Sequence, residues 1–399
     1  MQRKEIMFLL LVGILPITSI FANPSAFDEN SKVSLGAKTI TNSIESIIES
    51  ARRAPDTAKC NEILLAGVRK AQSIKDVIRL ANLSTGVTPD QILLEGISKA
   101  TTLQDIIELA RNCLLEDTKT KILLAGLPMA NTIDDVILLS RNSGTNTGAD
   151  KILLQGTSKA KNLRDIVTLS NLANAKVSDE IMLTGFKYVK SLEEAMDLAF
   201  HAPNASCDQI LFQATSFAKN IDDILLLARR ARTPQGADQI LLAGIAKANS
   251  VKEIFSLSNS TSNPRTKGEI LLQGSSKAGD IQELSSFLFQ APSSEAASRI
   301  ALKRLESPIS LAEIYYLAQH TGYAEVKSKV LIVGASKAST VQEVFALADM
   351  VPSEDRNRIL ISGAGVAKNM SEVVQLAEAT FDKETYRNIL MIGTLRLTK

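Results

Sequence analysis

One phrase governs what this chain can fold into. Ile-Leu-Leu-x-Gly-x-x-Lys-Ala, in varied form, begins at Ile63, Ile92, Ile122, Ile152, Ile181, Ile210, Ile240, Ile270, Ile300, Val330, Ile359 and Ile389, with a weaker copy at Val33. Every spacing between successive anchors is 29 or 30 residues. A fixed period in that range is the mark of a repeat architecture, in which one small unit cannot bury its apolar face alone and must stack on its neighbours.

Numbering from each anchor as zero, position +10 is Ser43, Ser73, Thr102, Thr132, Asn162, Ser191, Asn220, Ser250, Asp280, Ser310, Thr340 and Asn369. All are residues whose side chain can accept a hydrogen bond from an unsatisfied N–H at a helix start. Three residues later stands Asp or Glu in every unit except at Ser46. That pairing is a capping box or its Asp variant, so a second helix is predicted to start at +10 of each unit. Along it +11, +14, +15 and +18 are mainly apolar, as in Ile74, Val77, Ile78 and Ala81. This is the stripe of one buried helical face. The first helix of the unit carries Gly at +4, as in Gly67, Gly96, Gly156 and Gly244. A glycine inside a helix costs about 1 kcal/mol relative to alanine, so its recurrence predicts a neighbouring helix that passes too close for a side chain.

The fold class is therefore all-α: an α-solenoid, a superhelical array of about twelve helical hairpins of some thirty residues plus a C-terminal lone helix. The architecture is similar to that of HEAT-like and tetratricopeptide arrays, without the Trp-, Tyr- and Pro-anchored tetratricopeptide pattern. Apolar residues make up 45% of the chain and aromatics 4%, with no Trp, so the core must be aliphatic. The unit at Ile300 departs from the rest, with Arg304 in place of the glycine and Glu306-Ser307-Pro308 after it. Looser packing and a kink are predicted there.

Arg3 and Lys4 precede an uncharged, mostly apolar run from Met7 to Ala22. The run is too short for a membrane span of about 20 residues, and it has the layout of a secretory signal peptide. Residues 1–22 are read as that leader and residues 23–399 as a single solenoid domain, which predicts an exported protein, periplasmic or secreted. Cys60, Cys113 and Cys207 fall in separate repeats, so three free thiols are expected. The sequons at Asn82, Asn204, Asn259 and Asn369 matter only where the source glycosylates exported proteins.

Chemistry-bearing patterns are few. Gly-x-Ser-Lys-Ala recurs around Ser98, Ser158, Ser276 and Ser336, and a phrase repeated along a rod is scaffolding rather than a Ser–Lys nucleophile. His201 and His320 stand four units apart, too far to share a metal. No catalytic residue, cofactor or metal is expected, and the chain is read as a non-enzyme. Lys70, Lys99, Lys159, Lys247, Lys277 and Lys337 form a column at +7. They could follow a polyanion or interact with helix-end carbonyls. Lys plus Arg is 45 against 43 for Asp plus Glu, and this near-neutral balance argues against nucleic acid as the partner.

The positions the scaffold leaves open are more informative. At +16 and +19, off the apolar stripe of the second helix, stand Arg79, Arg111, Arg141, Phe200, Arg229, Phe289 and Tyr316. Arg and aromatics are the types enriched at binding hot spots, and these seven are the predicted partner-binding residues, on the helices expected to line the concave face. The leading expectation is a protein or peptide ligand held along an extended face. The alternative is a modular polyanion or nucleic-acid reader. Leu390, Met391, Ile392, Leu395 and Leu397 cannot all face inward on the last helix, so end-to-end self-association is also expected.

Overall fold

The computed structural model describes residues 43–398, and both the leader and the Val33 copy lie outside the described residues. Over that span the chain forms twenty-four α-helices and no strand. Twelve are the helices that start at the +10 caps, such as Ile133–Arg141, and twelve carry the repeat anchors, such as Asn146–Gly156. They are called capped and anchor helices below.

Each predicted cap is one. In all twelve units the +10 side chain accepts the N–H three residues ahead. Six units complete the reciprocal box, among them Ser73 with Asp76 and Thr340 with Glu343. In five others the acid takes the N–H of the residue before the cap, as Asp165 does from Lys161 at 2.7 Å. Local sequence thus sets where every second helix begins.

The glycines show which helices pair. A β carbon at Gly67 would lie 2.7 Å from Ile47 Cγ2, and one at Gly244 would lie 2.6 Å from Ile224 Cγ2. The same holds down the column: the side chain met is always the Ile or Val at +14 of the preceding unit, as Val136 is for Gly156. A β-branched knob from one capped helix fills the notch left by glycine on the following anchor helix. Close pairing therefore joins each capped helix to the anchor helix after it, not to the one before. Counted this way the phase of the hairpins moves by one helix. The final helix, Lys383–Leu397, packs against Met370–Glu378 and closes the twelfth hairpin. Where the notch residue is Ala214 instead of glycine, the matching knob position is Ala195; both are fully buried, in the most intimate hairpin of the stack.

A second device links successive turns. Two residues before the anchor stand Asn61, Asp90, Asp150, Asp179, Asp208 and Asp238. Asp90 is 3% exposed and accepts the N–H groups of Leu114 and Leu115, both at 2.8 Å. Those residues lead into the anchor helix Glu116–Ala125, whose own N-cap, Leu115, offers no side-chain acceptor. Asp208 receives Arg232 N–H at 2.7 Å and Thr233 N–H at 3.1 Å, and Asp179 receives Ser206 N–H at 3.2 Å. Each carboxylate is a cap supplied from the neighbouring turn, some 25 residues away in sequence.

At the unit of Ile300 the hairpin pairing loosens while contacts with the neighbouring turn increase. Ile281–Gln290 and Ser294–Leu305 pair less closely than any other hairpin, and Ser294–Leu305 packs instead on the next anchor helix, Ala324–Ala335. Arg304 turns away to donate to Pro308 O at 3.0 Å and to Glu313 Oε1 at 3.2 Å. The cap positions here are Gly268 and Ser298. Gln290 Oε1 and Ser298 Oγ, both buried, make no hydrogen bond among the described residues.

Successive anchor helices pack on one another throughout, whereas successive capped helices touch at few points except at Ile281–Gln290 and Leu311–His320.

Candidate functional site

Exposed side chains at +16 and +19 can meet a partner only if the scaffold does not use them. Arg79 pairs with Glu45 on the preceding capped helix at 3.2 Å, a surface contact worth about 0–1 kcal/mol. Arg111 Nε donates to Asn142 Oδ1 at 3.2 Å. Tyr316 is half-buried and stacks on His320 with centroids 3.9 Å apart, while a ring nitrogen of His320 meets Tyr316 O at 2.8 Å. Arg141 and Arg229 are exposed, and Phe200 and Phe289 are 70% and 80% exposed. Phe200 also meets the ring of His201 edge-on at 5.3 Å.

Of the seven, the structure brings two together. Phe200 and Arg229 line one cleft of about 270 Å³ between the capped helices Leu192–His201 and Ile221–Arg230. Arg230 and Arg232 complete its polar rim, and Met196, Cys207 and Leu211 its apolar wall. The column reading found Phe200 and Arg229 but passed over Arg230 and Arg232. The signal was present as three arginines within four residues at the end of one helix.

The lysine column is used by the scaffold where its contacts are defined. Lys99 Nζ donates to Arg69 O at 3.3 Å, Lys159 Nζ to Pro128 O at 3.5 Å, and Lys337 Nζ to Leu305 O and to Ser307 O, the latter at 3.3 Å. Every acceptor lies at the end of the preceding anchor helix, where carbonyls lack intrahelical partners. Tyr188, in the same column, donates its hydroxyl to Ala160 O at 2.6 Å. The repeated serines act likewise: Ser98, Ser158, Ser276 and Ser336 each donate to the carbonyl three residues back.

Cys60, Cys113 and Cys207 are free thiols. Burial, aided by the charge of Asp90, pushes the Cys113 thiol up to about 12 from an ordinary 9.0. Burial raises Cys207 as well. The thiolate is the reactive form, so both should label slowly at pH 8 in the native protein and rapidly in urea. A group whose pKa rises on folding stabilises below its unfolded pKa and loses that contribution as pH climbs through the folded value. Between pH 9 and 12 the native chain should therefore lose stability, and Cys113→Ala should lose less over the same range in urea titrations.

Among the described residues no group of three or more His, Cys, Asp and Glu is placed to hold a metal ion, and no helix is long and apolar enough to cross a membrane. No protein-family model and no curated protein sequence matches the chain. Among solved structures, a circular tandem repeat protein with novel repeat topology and enhanced subunit contact surfaces aligns at 13% identity. It covers 89% of each chain with a TM-score of 0.14. A protein from the computational design of self-assembling cyclic homooligomers aligns at 14% identity, covering 89% of this chain and 95% of its own, with a TM-score of 0.08. At these TM-scores neither likeness bears on function.

Proposed function

We propose that this protein is an exported, non-enzymatic helical-repeat scaffold that binds a protein or peptide partner along one extended face. One observation carries the reading. The caps, the glycine notches, the contact-making lysines and the repeated serines are engaged in holding the stack together, while Arg141, Phe200, Arg229 and Phe289 stand exposed on its capped-helix layer. Solenoids offer such faces as extended binding surfaces, and Arg and aromatic side chains are the common anchors of protein interfaces. The basic and apolar leader supports export. Exposed Tyr386, Met391 and Leu395 on the final helix support a second, end-to-end contact between copies.

The test is affinity capture with cross-linking from the native exported fraction, beside a variant carrying Arg111→Ala, Arg141→Ala and Arg229→Ala. A protein partner recovered by the native chain and lost by the variant is the expected result. A partner held equally by both would remove the capped-helix face from the reading. Recovery of polyanion alone, released by moderate salt, would replace the reading with the polyanion-binding alternative.

A further inference from the structure

The cleft at Phe200 and Arg229 has a chemistry of its own. Arg232 reaches across it to donate from Nη2 to Phe200 O at 2.9 Å, at the C-terminal end of helix Leu192–His201. Its backbone N–H is held by Asp208, which follows Cys207, so that carboxylate is already engaged with N–H groups. The exposed Asp197 that follows Met196 is not among the residues lining the cleft. Arg229 and Arg230 form no ion pair among the described residues. Two guanidinium groups thus stand free beside an apolar wall of Met196 and Leu211, with the Phe200 ring exposed at the rim. Guanidinium groups match carboxylates with paired, charge-assisted hydrogen bonds. The volume, about 270 Å³, lies below the roughly 300–1,000 Å³ that encloses a whole small molecule. It suits one or two side chains of a longer ligand.

We infer that this cleft binds an acidic peptide segment in which a Glu or Asp is flanked by an aliphatic or aromatic residue. The carboxylate meets Arg229 and Arg230, and the apolar neighbour lies against Phe200, Met196 and Leu211. The inference rests on the scaffold reading above and specifies its partner at one place on the stack.

The probe is a fluorescein-labelled heptapeptide alternating glutamate with leucine, titrated into the full chain and followed by anisotropy. A lysine-for-glutamate peptide and a serine-for-leucine peptide serve as comparisons. Both should bind at least about tenfold more weakly than the probe, the scale of a lost charge-assisted contact or buried anchor. The double variant Arg229→Gln, Arg230→Gln should weaken the probe by a similar factor, and Phe200→Ser severalfold, with helical circular dichroism unchanged. In protein carrying carbon-13 methionine methyls, the probe should move the Met196 signal and leave Met391 in place. Equal binding of the lysine peptide, an unmoved Met196, or full affinity in the double variant would each overturn the inference. So would a Met196 shift produced by laurate but not by the peptide, which would assign the cleft to a free fatty carboxylate. A partner captured through Arg111 and Arg141 alone would leave the scaffold reading standing while the cleft inference fell. Probe binding without any captured partner would do the reverse.

Discussion

Replacing Gly156 with alanine should destabilise the stack by about 1–3 kcal/mol, the usual cost of forcing an extra methyl into a filled core. The sign runs against intrinsic preference, because the same change at a free helix position gains about 1 kcal/mol. It follows from the closest approach in the glycine column, where a β carbon on Gly156 would overlap the methyl groups of Val136. Val136 is itself fully buried, and Val136→Ala alone should cost about 2–3 kcal/mol through lost contact and the void left behind. The two changes together should cost clearly less than their sum, because they recreate the small-on-small arrangement of Ala195 and Ala214. Urea unfolding of the four proteins of this cycle measures the coupling, expected to be at least about 1 kcal/mol. Additive losses would mean that knob and notch do not meet. Hydrogen exchange across residues 133–156 should accompany the urea curves, since a repeat array can open at one hairpin before the rest.

The second large effect concerns Asp90. Asp90→Ala strands the N–H groups of Leu114 and Leu115 at the entrance to an anchor helix that has no side-chain cap of its own. The freed N–H groups lie on Leu114 and Leu115, which are 71% and 50% exposed, so water takes the carboxylate's place in part, and a loss of about 1–2 kcal/mol, that of a helix cap, is expected. Asp90→Asn keeps an acceptor oxygen and should fall between. Cys113 adjoins these residues and reports on the site directly. Its labelling rate at pH 8 should rise severalfold in Asp90→Ala while that of Cys207 stays as it was. Unchanged labelling together with unchanged stability would mean the carboxylate does not hold the two turns together.

These two sites also show what a linear reading can and cannot reach. The twelve caps are legible because donor and acceptor lie three residues apart, and so is the apolar stripe, because helical period is local. The phase of the hairpins is not local. Gly156 is flanked by capped helices on both sides in sequence, and only packing decides that it faces Val136 rather than the helix that follows. A clue was in the chain all the same: among the units from Ile63 onward, the one alanine in the glycine column, Ala214, follows the one alanine in the knob column, Ala195. Asp90 was missed because an acid in the first turn of a helix reads as an ordinary favourable charge at the dipole's positive end, and its true partners come 24 and 25 residues later. Of the candidate surface, residue type picked out Phe200 and Arg229. That Arg230 and Arg232 join them depends on how two helices lie side by side, which spacing alone does not fix.

The knob and notch also constrain how this gene could lengthen or shorten. A duplication or deletion of one whole unit keeps every interlock wherever a β-branched side chain and a glycine are exchanged for others of the same kind. At the middle of the array that freedom ends. Setting the Ala214 unit behind any unit that carries Ile or Val would drive a methyl into it, and setting a glycine unit behind Ala195 would leave a void. Those two units travel as a pair or not at all, so gains and losses of repeats should accumulate on either side of them and leave that junction intact.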